Sequence, residues 1–468
     1  MTVSVMPPRA VLAALVTREG RRDPHPLYDA LRAHGGLVPV RPGLMVAVGY
    51  AECSRALREP RLLVQDARSH DLHRPGWRSH SSLRGFTRSV LYTNPPDHSR
   101  MRRLMSGGFT PRSVAGLEPT IVRMTDRLLD RMAELGTGGA PVDFMAEFAY
   151  RLPVAVIGAM LGVPDDDQIW FRAAVEHVTV ALEGISRASG LAAADRAMDE
   201  LSAYFAGLID QRRRRPADDL ISALVRAHER DGERFTEEEL LGNLVLLLAA
   251  GFDTTTHLLG QALHLAFEHP GWAARLRDDP DCAAGYVEET LRIAPPVHAT
   301  SRFADTDVDL LGTRVPAGTK VLVLLAAGNR DPGRFPDPHR FDPHRPDVQP
   351  LSFGAGAHFC LGAPLARAEA RIALPRLFGR FPGLAPAGAP THRDRLVVPG
   401  HDRLPVTVGR SPAAPARVPG RRRPCRPAPS PAPRSIYEDA PVPAVTRRFR
   451  EFPEPREGDI PWRDLRSP

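Results

Sequence analysis

Apolar positions recur at three- and four-residue intervals along most of the chain from about Pro8 to Gly409, with short turn-rich segments between them. The spacing predicts helices over Met124–Leu135 and Asp199–Arg215, and above all in the run from Leu240 to Phe267. Thr236 and Glu239 precede that run as a TxxE capping box, so the helix should extend from about Glu237 to His269, roughly 45–50 Å at 1.5 Å per residue. Its length approaches that of a membrane span, but Asn243, Asp253, three threonines and two histidines interrupt it, which favours a helix buried in protein. Strand signal is sparser and is best at Val308–Gly328, where β-branched runs flank Gly312 and the Pro316-Ala317-Gly318 turn. These patterns predict one large domain over residues 8–409, mainly α with small β-sheets (α+β), preceded by a short leader of residues 1–7.

Past Gly409 the periodicity stops. From Ser411 onward 14 of the last 58 residues are proline, so residues 410–468 are predicted to form a disordered, Pro/Arg-rich tail. That segment also holds most of the charge: twelve arginines against seven acidic residues give +5 of the chain's +7, leaving about +2 before it. With no interleaving of aromatic and basic residues, a nucleic-acid partner is excluded. The apolar run Ala10–Val16 is too short for a membrane span and lacks a basic segment and cleavage site, so no membrane association and a cytoplasmic location are expected.

Four cysteines, Cys53, Cys282, Cys360 and Cys425, lie at irregular spacings that form neither a disulfide framework nor a CxxC pair. Cys360 is set apart by its surroundings, FGAGAHFCLG at 353–362. Gly354, Gly356 and Gly362 permit positive φ and leave room for a bulky flat group. The helical segment Ala363–Phe378 follows, placing Cys360 at a helix N-terminus, where the dipole and free N–H groups favour a thiolate. A single thiolate capped by Phe353 suits the axial position of a haem iron better than a zinc or iron–sulfur site, which needs several ligands. Phe353, Gly354, Gly356, His358, Cys360 and Gly362 together resemble the haem-binding loop FGxGxHxCxG of the cytochrome P450 family.

The resemblance implies the cytochrome P450 fold, with haem b between a long central distal helix and the proximal cysteine loop, and Cys360 as the metal ligand. Oxygen activation consumes protons, and AAGFDTTT, 249–256, lies near the middle of the long helix. There Gly251 and Thr254 can loosen the helical ladder, and Asp253 can relay protons. Ala250, Gly251, Asp253 and Thr254 match the family's distal motif, which implies catalytic roles for Asp253 and Thr254. Glu289 and Arg292 are three apart on one helix face and resemble the structural ExxR element, with Arg340 of PHRF as its third partner. His98 and Arg102 resemble the HxxxR helix and, with Arg302 and His358, are expected to hold the haem propionates; Phe353, Gly354, Ala250 and Gly251 complete the cofactor site. Ala249 and Val297, with stretches near 63–91 and 180–185, are expected to line the substrate pocket.

The implied activity is a monooxygenase that hydroxylates or epoxidises an apolar small molecule, such as a polyketide, macrolide or terpene-like secondary metabolite. Electrons are expected from NAD(P)H through a separate ferredoxin and ferredoxin reductase, docking near Arg103, Arg112 and Arg367 on a monomer. A peroxide-using peroxygenase, an oxidative coupling enzyme and a non-catalytic haem sensor are the alternatives. Asn94 and Gly328 stand where acidic and alanine residues are more usual.

Overall fold

In the computed structural model, which describes residues 6–183, 188–230 and 235–409, the apolar run becomes a helix over Glu237–Glu268. The capping box closes in both directions: the Thr236 hydroxyl accepts from Glu239 N–H at 3.2 Å, and the Glu239 carboxylate accepts from Thr236 N–H at 2.8 Å. His269 ends the helix, where Pro270 stops the ladder. The helix packs against Arg151–Leu161, Ala188–Arg214 and Ala363–Arg380, so Leu240, Asn243, Leu244, Val245, Leu246 and Leu248 are buried around its circumference. Among the described residues no helix is long and apolar enough to cross a membrane.

The other predicted helices are longer than their apolar periodicity. Met124–Leu135 is the second half of Pro111–Leu135, capped by the Thr110 hydroxyl, and Asp199–Arg215 belongs to Ala188–Arg214. The strand expectation divides at its glycines. Val308–Leu310 and Thr313–Val315 form a hairpin on Leu311 and Gly312, both with positive φ, the arrangement of a two-residue hairpin turn. After the Gly318 turn, Lys320–Leu324 joins a five-stranded sheet.

That sheet runs in the order Leu37–Arg41, Leu44–Ala47, Lys320–Leu324, Ala299–Ala304, Leu62–Leu63. Only the pairing of Leu44–Ala47 with Lys320–Leu324 is parallel; Ala299–Ala304 pairs antiparallel to Lys320–Leu324, with Arg302 opposite Val321. Helices occupy the larger core and the sheet has its own apolar clusters on either side. The expected tail, 410–468, lies outside the described residues, as do residues 1–5 of the leader and the pocket position Ile185.

Candidate functional site

The cysteine loop is a tight structure built on two left-handed glycines. Gly354 and Gly356 have φ of +69° and +70°, and a Cβ on Gly356 would come 2.6 Å from the Leu57 carbonyl oxygen. Cys360 N–H closes the loop on the Phe353 carbonyl at 2.9 Å, and Gly362 caps the helix Ala363–Arg380. Phe353 is buried under the Arg367 guanidinium, 4.4 Å from its ring centroid. The thiol lies deep within the protein mass yet opens onto the main cavity. Burial pushes its pKa up, opposed by the N–H groups of Gly362 and Ala363 and by Arg102 and Arg367. The N–H groups at the helix N-terminus oppose the effect of burial and do not outweigh it.

His98, Arg102, Arg302 and His358 all line the same cavity. The rings of His98 and His358 lie 4.0 Å apart, and neither nitrogen of the buried His98 has a hydrogen-bond partner. Arg302 is also buried and donates to the Ser301 carbonyl at 2.8 Å. Burial, then Arg102 and Arg302, brings His98 to about 4; burial, then His98 and the same arginines, brings His358 to about 2. Burial lowers Arg302 to about 10. Orphaned ring nitrogens and basic side chains crowded enough to suppress one another's protonation make a site that favours an anion. These residues fit the propionates of a haem whose iron Cys360 would hold.

The distal residues come from the middle of the long helix, which remains continuous through them. The Thr254 hydroxyl donates to the Ala250 carbonyl at 2.8 Å, so the expected loosening takes the form of a side-chain bond onto the ladder. Asp253 is 4% exposed and paired with Arg393, whose Nη1 lies 2.9 and 3.0 Å from its two oxygens. The same Nη1 donates to His257 Nε2 at 2.6 Å. Burial alone would raise the Asp253 pKa, but His257 and Arg393 outweigh it and hold it at about 2. The sequence showed the carboxylate and not its partner: Arg393 arrives from 140 residues away.

Glu289 and Arg292 are fully buried, with two hydrogen bonds between them at 2.6 and 2.7 Å. The expectation that Arg340 supplies a third charged partner is corrected. Its side chain is 69% exposed near Asp342, and only its backbone carbonyl accepts from Arg292, at 3.0 Å. The guanidinium that reaches Glu289 belongs to Arg345, at 3.5 Å and 10% exposed, because the chain turns after Phe341 and brings Arg345 inward. Asn329 extends the pair toward the cysteine loop: its carbonyl accepts from Arg292, and its side chain bonds Ser352 and the Leu351 N–H.

One cavity of about 460 Å³ is lined by Cys360, Phe353, Gly354, Ala249, Ala250, Gly251, Asp253, Thr254 and Val297 together with the basic cluster. From the predicted pocket stretches it also takes Val64, Leu83, Phe86, Leu91 and Leu182. Leu246, Leu247 and the segment 395–398 line it as well, and no local pattern marks the last of these. Glu369, on the helix after the cysteine, is buried among them, and burial raises its pKa well above the usual carboxylate range.

A fold with one cysteine loop and a distal acid and alcohol on a single cavity is that of a haem-thiolate enzyme. A family profile described as Cytochrome P450 matches residues 60–398. The chain is 41% identical over 384 residues, 81% of its length and 88% of the relative's, to the cytochrome P450 monooxygenase PikC of Streptomyces venezuelae. It is 36% identical over 390 residues, 81% of its length and 94% of the relative's, to 6-deoxyerythronolide B hydroxylase of Saccharopolyspora erythraea. Among solved structures, P450BioI in complex with an acyl carrier protein ligated to hexadec-9Z-enoic acid superposes with a TM-score of 0.77 at 32% identity, covering 84% of this chain and all of that one. The chain belongs to the cytochrome P450 family and is a monooxygenase of that family.

Proposed function

We propose that this monooxygenase inserts one oxygen atom from dioxygen into an apolar small molecule of the secondary-metabolite type, hydroxylating or epoxidising it. The reading is carried by one observation: a single, mainly apolar cavity is lined both by Cys360 and by the pair Asp253 and Thr254. Cys360 would hold the haem iron through its sulfur. His98, Arg102, Arg302 and His358 would hold its propionates, and the small residues Ala250 and Gly251 line the same cavity. A bound haem supplies oxygen activation and transfer of one oxygen atom. Thr254 donates its hydroxyl proton into the cavity when it turns from the Ala250 carbonyl, and Asp253, once released from Arg393, delivers protons to that position. The relation to 6-deoxyerythronolide B hydroxylase supports a substrate of that metabolite class.

Electrons come from NAD(P)H through a separate ferredoxin and its reductase. Arg103 and Arg112 are exposed and suited to an acidic partner, and Arg367 pairs with Glu288 and stacks on Phe353. Residues 8–409 suffice for the haem site, so truncation after Gly409 should preserve the reduced carbon monoxide spectrum. The deciding experiment is that spectrum together with product formation, driven either by NADPH plus redox partners or by hydrogen peroxide. Absence of a thiolate band would overturn the cofactor assignment, and turnover with peroxide but none with NADPH plus redox partners would replace monooxygenase by peroxygenase.

A further inference from the structure

Four histidines lie in a row behind the distal site. His257 and His264 share the long helix with Asp253, while His392 and His401 pair across the short strands Thr391–His392 and His401–Arg403. The two strands sit on the helix where it is thinnest: a Cβ on Gly260 would come 2.7 Å from Met145 Sδ and 3.9 Å from the His401 ring. Likewise a Cβ on Gly400 would come 2.2 Å from His257 Nδ1, so only glycine lets the strand lie on that ring. The His401 ring is 4.9 Å from that of His264 and 5.1 Å from that of His392.

The row runs from surface to site. His392 is exposed and the His264 side chain is 31% exposed beside Glu268, whereas His401 is 2% exposed and His257 is fully buried. Three buried ring nitrogens along it, His257 Nδ1 and both nitrogens of His401, have no hydrogen-bond partner in the protein. Buried nitrogens of this kind are ordinarily met by internal water. At the inner end His257 Nε2 is 3.6 Å from Asp253 Oδ1, with Arg393 Nη1 bonded to both residues.

We infer that His257 and His401, linked by water, carry protons from the surface histidines His264 and His392 to Asp253. This rests on Asp253 being the acid that serves the cavity. Arg393 donates to His257 Nε2, so in the neutral ring the proton sits on Nδ1, facing Gly400 rather than Asp253. Transfer needs Arg393 to draw aside and the freed ring to exchange through water to its Nε2–H form; Nδ1 then accepts a proton from water while Nε2 passes its own to Asp253 Oδ1, which leaves the ring again with its proton on Nδ1. Each ring accepts a proton on one nitrogen and releases one from the other: one proton enters at the surface, one reaches Asp253, and none is stored. Burial, then the neighbouring His264, His392 and His257, holds His401 at about 3, so the ring is neutral at rest and passes protons without retaining them.

Two measurements on the haem-loaded, full-length enzyme test the relay. A crystal structure that resolves ordered water should show water within hydrogen-bond distance of His257 Nδ1 and of a His401 nitrogen; two dry rings overturn the relay, whether or not any variant folds. His401→Leu and the surface variant His264→Ala are compared with Asp253→Asn. The relay requires His401→Leu to cut NADPH-driven product at least roughly 10-fold, with more hydrogen peroxide released, while peroxide-driven turnover, which brings its own protons, is retained. His264→Ala should give a smaller loss, because His392 remains as a second entrance. Equal loss by both routes in His401→Leu would mean a structural role and overturn the relay. If His401→Leu leaves NADPH-driven product unchanged while Asp253→Asn lowers it, the relay fails and the reading of Asp253 stands; if Asp253→Asn also changes nothing, that reading falls first.

Discussion

Two buried carboxylate–guanidinium pairs hold this molecule, and they are built in opposite ways. Arg292 has five N–H donors and each has its own acceptor: Nε and one Nη2 hydrogen on Glu289, the other on the Arg340 carbonyl, and the two on Nη1 on the Asn329 and Pro338 carbonyls. At the distal pair, three acceptors, the two oxygens of Asp253 and His257 Nε2, converge on Arg393 Nη1, which carries only two hydrogens. The first arrangement has one satisfied geometry. In the second, Nη1 can donate to only two of the three acceptors at once. A pair of the first kind fixes the position of the cysteine loop; a pair of the second kind suits a carboxylate that must be held and then released.

The contrast is broken most severely at Arg292. Arg292→Ala strands the Glu289 carboxylate and three carbonyls in the core, a loss of about 3–5 kcal/mol, and should yield protein without a thiolate band in the carbon monoxide spectrum. Arg292→Lys should rescue little, since an ammonium cannot serve five acceptors in that fork. At the distal pair, Asp253→Asn should keep the haem spectrum yet lower NADPH-driven product on the order of 100-fold, as read by product formed per NADPH consumed. Arg393→Gln leaves burial of Asp253 less opposed, so its carboxyl should rise from about 2, and the acid limb of the product–pH profile should move upward with it.

Smaller effects sharpen the same picture through pH. Burial, first among the causes, holds His298 and His401 at about 3, so between there and 6.5 the unfolded chain binds the extra protons. Their contribution is whole above pH 6.5 and is lost as pH falls, approaching about 1.4 kcal/mol per histidine per pH unit, and Tm should drop steadily from pH 6.5 to 5. Asp253, held down at about 2, contributes above its ordinary 3.8 and loses that contribution as pH falls through about 2, so it should not take part in the milder transition. Smallest is Gly356→Ala, where a left-handed φ of +70° costs about 1–2 kcal/mol before any movement away from the Leu57 carbonyl, measurable as a lowered Tm.

What was legible in the sequence was short in range. The capping box, the i and i+3 ion pair, the glycine spacing around Cys360 and the single helix bearing Asp253 and Thr254 all follow from helical periodicity or backbone freedom within a few residues. Arg393, Arg345, His401 and the segment 395–398 reach the site only through tertiary folding, across separations of up to 140 residues, and no local pattern marks them. Arg340 shows the same limit in reverse. A motif position can be occupied while the contact is made by a backbone carbonyl, which any residue would supply.

The parallel register of Leu44–Ala47 against Lys320–Leu324 also bears on biosynthesis. A strand begun at residue 44 waits for a partner begun at residue 320, some 276 residues later, which at 5–20 residues per second is roughly 15–55 s of translation. Through that interval the N-terminal hairpin has a hydrogen-bonding edge with no partner, and chaperone capture or aggregation competes with folding. Nascent chains stalled before residue 320 should therefore be cut by protease within Leu37–Ala47, and chains released at full length should be protected there.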